Sequence, residues 1–187
     1  MSMHALLALH EHPAGVTCEP GNRVVYELAN DTAHFGGATV AGPALSWALM
    51  TGADAVDEPA GAALAAAVDL DDSQPWVMRC DRVDFPPGAI AYRHVHPGPG
   101  IRRLLFGGLT ITTGGVTTAY GAGGAWFESG PEPVYAESSA TEETAFVRVM
   151  LLPAEWAGRR TIRYTDPADA DRPARQRARV FLEEPLR

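Results

Sequence analysis

From residue 76 to residue 153, glycine and proline interrupt the chain at intervals of roughly ten residues, and this punctuation limits what the chain can fold into. Helices of ordinary length do not survive it, whereas short strands joined by tight turns do. Residues 76–85 read as a strand that stops at Pro86-Pro87-Gly88, and residues 89–96 as a second, closed by Pro97-Gly98-Pro99-Gly100. Residues 104–113 form a third, in which Leu109, Thr110, Ile111 and Thr112 alternate as one half-buried face requires. Gly114-Gly115 joins it to residues 116–120, a strong hairpin signal. Residues 125–127 and 134–136 are short strands around Gly130-Pro131, and residues 145–152 a long apolar strand ended by Pro153. The pattern is that of an all-β sandwich or barrel.

Outside this segment the reading is looser. Residues 23–28 and 38–40 look like strands, and residues 45–50 fit either a strand or a helical turn. Residues 59–72, alanine-rich and then acidic, read as a surface helix or loop. Beyond Pro153 the chain is polar, with edge strands expected at 161–164 and 178–182. The expected organisation is an N-terminal extension (1–73) that adds strands to the barrel or covers it, a barrel core (74–153), and a C-terminal tail (154–187) packed on the barrel or a partner.

Charge excludes some functions. The formal net charge of −8 argues against a nucleic-acid surface, which needs clustered Lys and Arg. Arg172, Arg175, Arg177 and Arg179 are flanked by Asp166, Asp169, Asp171, Glu183 and Glu184, the pattern of a salt-bridged surface. No apolar run approaches the length that crosses a membrane as a helix, and the N-terminus lacks the basic leader of a signal peptide. A soluble, cytoplasmic protein is expected. Cys18 and Cys80 are far apart and read as unpaired thiols. The Gly121–Gly124 run lacks the lysine and helix of a phosphate loop, and no serine nucleophile elbow is present.

His94 and His96 carry the chemistry. Two apart on an expected strand, they leave the same face together with Tyr92, and two imidazoles on one concave face can share a metal ion. The flanking residues strengthen this. The segment Gly88, five residues, His94-Val95-His96 and, after eleven more, Gly108 resembles the first motif of the cupin superfamily. That resemblance, over roughly residues 76–153, implies a cupin-type jelly-roll (double-stranded β-helix, RmlC-like) barrel and a homodimer.

The departures are equally informative. Where the family motif places a glutamate ligand, this chain has Ile101 or, one residue earlier, Gly100, with Arg102 and Arg103 following. In the second motif Glu128 replaces a proline, Pro133 replaces the histidine, and Tyr135 is the next polar side chain. Only two of the four usual ligands are present. Three outcomes stay open: a modified metal site in which Glu128 or Tyr135 joins His94 and His96; a metal-free pocket using the histidines, Tyr92, Arg93 and an arginine; or histidines that are structural remnants. The first implies a divalent ion (Fe, Mn, Ni or Zn), no organic cofactor, and an oxygenase, lyase, isomerase or decarboxylase in which Tyr135 or Tyr92 moves protons. The second implies a non-catalytic binder or sensor of a small acidic or sugar-like molecule. Arg102 and Arg103 differ in face, so at most one points inward. His4, His10, His12 and His34 lie outside the barrel segment, with His34 the one placed to approach it.

Overall fold

The computed structural model describes residues 2–52 and 59–187. Described strands build three five-stranded antiparallel sheets and a small two-stranded ribbon. The middle and outer sheets carry the punctuated segment: β8 (Trp76–Phe85), β9 (Ile90–Val95), β10 (Gly100–Phe106), β11 (Gly108–Thr113), β12 (Val116–Gly121), β13 (Ala125–Glu128), β14 (Val134–Ser138) and β15 (Thr144–Pro153). The middle sheet has the order β13-β10-β15-β8 and the outer sheet β12-β11-β14-β9, so the chain crosses between sheets at nearly every turn. That order is the eight-stranded jelly roll. The fold is an all-β jelly-roll barrel. Gly114 and Gly115 form the expected two-residue hairpin, both with positive φ (55° and 76°), as such a turn requires.

The C-terminal residues extend one side of the roll. β16 (Arg163–Tyr164) pairs with β9, and β17 (Arg177–Pro185) pairs with β8, so the adjacent edges of both sheets grow outward together.

The N-terminal residues make the third sheet, from β1 (Ser2–His12), β3 (Arg23–Glu27), β4 (Thr32–Phe35), β6 (Ala44–Thr51) and β7 (Leu64–Asp71), in the order β4-β3-β6-β1-β7. β2 (Val16–Cys18) and β5 (Ala38–Val40) pair as the ribbon, packed over Val25 and Ala44. The helix or loop expected at 59–72 is corrected to β7 over Leu64–Asp71; residues 53–58 lie outside the described residues. Its alanines mask the alternation, which shows only at Val68 and Leu70, both buried between exposed neighbours. Pairing with β1 satisfies the backbone groups along one side of it, and tertiary context overrides alanine's helix preference.

This third sheet covers the middle sheet. Leu7, Leu9, Val24, Tyr26 and Leu45 pack against Met78, Cys80, Ile101, Val147, Val149 and Leu151. Trp47, fully buried, also donates its indole N–H to the Ile101 carbonyl at 3.2 Å. A Trp47→Ala variant is expected to lose about 3–5 kcal/mol of stability in urea titration, the range for deleting a buried aromatic. An effect below about 1 kcal/mol would show that the sheet–sheet junction does not depend on it.

Candidate functional site

Between the two jelly-roll sheets lies a cavity of about 600 Å³, within the range of small-molecule sites. Strand alternation sorts its walls. From β8, Val83 and Phe85 point inward, and Ala91, Leu109, Ile111, Trp126, Val134, Ala136 and Phe146 complete an apolar body. The opposite end is polar, lined by Arg79, His94, His96, Glu128, Arg148 and Thr161. Residues 158–162 of the C-terminal segment, with Gln176, Ala178, Val180 and Glu183, close one side. No described residue of the N-terminal sheet lines the cavity.

His94 and His96 both turn inward, 5 % and 3 % exposed, with ring centroids 4.9 Å apart and planes at 83°. His94 Nδ1 donates to the Tyr92 carbonyl at 2.6 Å, and His96 Nδ1 to the Thr161 carbonyl at 3.2 Å. A carbonyl can only accept, so each neutral ring carries its proton on Nδ1 and a lone pair on Nε2. Burial lowers the pKa of His94, and the Arg148 and Arg102 guanidiniums add to the effect. The same causes hold His96 well below 6.5. Both rings are neutral at pH 7.

Tyr92 does not accompany them, which corrects the expectation that all three share a face. Val134 pairs with His94 but Ala136 pairs with Ala91, so two residues of β9, Tyr92 and Arg93, stand opposite the single residue Tyr135 of β14. This β-bulge shifts the alternation: Ala91 and His94 face the cavity, and Tyr92 turns to the outside, where Arg172 lies over its ring at 4.6 Å. Tyr135 also faces outward, as its position between inward Val134 and Ala136 dictates, and donates a hydrogen bond to Glu137 at 3.0 Å. Neither tyrosine lines the cavity. Arg93 is exposed on that same outer side, and His34 is exposed on β4.

Glu128 is inside, 8 % exposed, and near the imidazoles: its Oε2 is 3.6 Å from His96 Nε2. It is already engaged. Trp126 Nε1 donates to Oε1 at 2.8 Å, and Arg102 Nη2 sits 2.7 Å from Oε2. Arg102 is the inward member of the arginine pair; Arg103 points toward the third sheet and pairs with Glu11. The positions where the family motif carries its glutamate offer no substitute. Ile101 is buried against the third sheet, and a Cβ at Gly100 would lie 2.4 Å from the Val149 carbonyl oxygen. Among the described residues, no group of three or more His, Cys, Asp or Glu side chains is arranged to hold a metal ion. His94, His96 and Glu128 are thus brought together, but a guanidinium stands against the carboxylate a metal would need.

Sequence reasoning missed the charges that organise the polar end. Asp81, fully buried, accepts from Arg148 Nε at 2.6 Å and from Arg79 Nε at 2.9 Å. Arg79 Nη1 continues to the Glu183 carboxylate at 3.1 Å and the Arg159 carbonyl at 2.8 Å. Arg148 Nη2 reaches Thr161 at 3.4 Å. The available signal was one arginine inside the apolar run 145–152, together with Arg79, Asp81, Arg82 and Asp84 alternating with apolar residues over 76–85.

The chain is similar to the crystal structure of an RmlC-like cupin from Shewanella frigidimarina NCIMB 400, with 18% identity, a TM-score of 0.38, and coverage of 42% of this chain and 68% of that one. No family model and no curated protein matches. No helix among the described residues is long and apolar enough to cross a membrane.

The imidazoles supply a pH prediction. Their folded pKa values lie below the ordinary 6.5, so on acidification the unfolded chain binds protons that the folded chain refuses. Stability is therefore expected to hold at and above neutrality and to fall as the pH drops below about 6.5. Thermal melts from pH 8 to pH 5 check this. The slope should flatten in His96→Gln, and an unchanged slope there would assign the effect elsewhere.

Proposed function

We propose that this chain is a non-catalytic, metal-free cupin that binds a small amphipathic acid in the jelly-roll cavity. The carrying observation is the state of two guanidiniums in an otherwise apolar chamber. Arg148 uses Nε and Nη2, and Arg79 uses Nε and Nη1, leaving Arg148 Nη1 and Arg79 Nη2 without a hydrogen-bond partner among the described residues. Both arginines line the cavity. Donor groups held by Asp81 and facing a chamber are suited to a carboxylate, which accepts charge-assisted hydrogen bonds. Phe85, Ile111, Trp126 and Phe146 offer the apolar body of such a ligand a matching wall. Fold alone would not select this ligand, since jelly rolls host many activities.

Isothermal titration with benzoate and phenylacetate, set against benzyl alcohol, tests the reading. The acids are expected to bind about 10- to 100-fold tighter than the alcohol, corresponding to about 1.5–3 kcal/mol for a charge-assisted hydrogen bond. Ala136→Trp, which fills the apolar end without touching a charge, should abolish binding. Equal affinity for acid and alcohol would remove the anionic head from the proposal. Tight acid binding that survives the filled cavity would move the site elsewhere.

A further inference from the structure

We infer that Arg102 is a built-in cation: its guanidinium takes the place beside His96 and Glu128 that a divalent metal would otherwise hold, and so keeps the imidazole pair metal-free. This inference is independent of which ligand the cavity takes, since Arg102 does not line it.

Arg102 is 0 % exposed, and it sits on β10 at the inward position adjoining Gly100 and Ile101, neither of which can present a carboxylate to the cavity. Its Nη1 donates to the Gly100 carbonyl at 2.6 Å, fixing the head, and Nη2 lies 2.7 Å from Glu128 Oε2. Its Nε, Nη2 and Glu128 Oε2 have no well-aligned hydrogen bond, so charge rather than directed bonding joins the pair. A guanidinium keeps its proton at neutral pH, so the side chain is a cation held against that carboxylate.

The donor types beside Arg102 are those a metal accepts, although as they stand no three of them are placed to hold one. Two Nε2 lone pairs and one carboxylate is the two-histidine, one-carboxylate combination that first-row metals favour. A 2+ ion placed there would face the Arg102 guanidinium, 2.7 Å from Glu128 Oε2, and would compete for a carboxylate already neutralised. Removing the Arg102 charge removes both obstacles.

Cobalt(II) titration followed by visible absorption tests the inference on the full chain. Wild type should take up no Co(II). Arg102→Ala should bind one equivalent and develop ligand-field bands, and Arg102→Ala/His94→Ala should lose them. Uptake of one equivalent by wild type, with bands lost in His94→Ala, would overturn the inference. So would an Arg102→Ala variant that keeps its circular dichroism yet binds no Co(II). Should Arg102→Ala fail to fold, melting temperatures of Arg102→Met, Glu128→Leu and the double variant decide instead. If Arg102 is the countercharge of Glu128, each single change lowers the midpoint more than the double change does. Additive losses would show that the two do not act as a pair. Acid binding has its own readout and stands under either result, whereas Co(II) uptake by wild type would also strike the metal-free half of the proposed function.

Discussion

The middle sheet is buried on both faces, and that constraint shapes everything around it. All ten residues of β15 are buried. Its odd-numbered residues Val147, Val149 and Leu151 meet the third sheet as an ordinary apolar core, but Arg148 points the other way into the cavity. A guanidinium on a strand with no route to water costs several kcal/mol unless an opposite charge meets it. The register supplies one: Asp81 of β8 stands directly across from Arg148. Arg79, two residues before Asp81 on the same face, takes the second carboxylate oxygen. One cross-strand ion pair thus fixes both the strand register and the polar end of the chamber.

How much of this was legible follows from which signals are local. Glycine and proline act through their own φ restrictions, so the jelly-roll turns could be read residue by residue, and the His94–His96 spacing survived because both residues lie on the same side of the β9 bulge. The bulge itself left no mark. It depends on how β9 pairs with β14, and it alone sends Tyr92 outside while His94 stays in. Tyr135 is a different case: plain alternation from inward Val134 is enough to place it outward. Residues 64–71 failed for a third reason, since alanine fits a helix and an edge strand alike and only β1 decides between them.

The two extensions divide their labour. The N-terminal sheet supplies no described residue to the cavity, yet it anchors the strand that does. Asp31, beside β4, pairs with Arg82 of β8 and Arg179 of β17, and Tyr26 packs edge-on to Phe181 at 5.4 Å. The opposite side of β17 presents Ala178, Val180 and Glu183 to the cavity. A strand added at a sheet edge by backbone pairing alone would fray. These contacts make it a fixed wall, with ion pairs on one face and the chamber on the other.

The same economy of charge decides what the polar end can recognise. Each buried carboxylate is committed to guanidiniums, and each imidazole has spent its one proton on a backbone carbonyl. The Nε2 atoms are therefore acceptors and complement a hydroxyl or ammonium, not a carboxylate. Only Arg79 and Arg148 retain N–H groups for an anion among these buried charges that line the cavity. A ligand satisfying both sets would place its anionic group at the arginines, a donor toward the imidazoles, and its apolar remainder against Trp126 and Phe146. Reversing it would set a carboxylate against two lone pairs and leave two guanidinium edges desolvated, an arrangement that buried polar groups do not tolerate. Orientation is thus set by the proton inventory of the walls as much as by their shape.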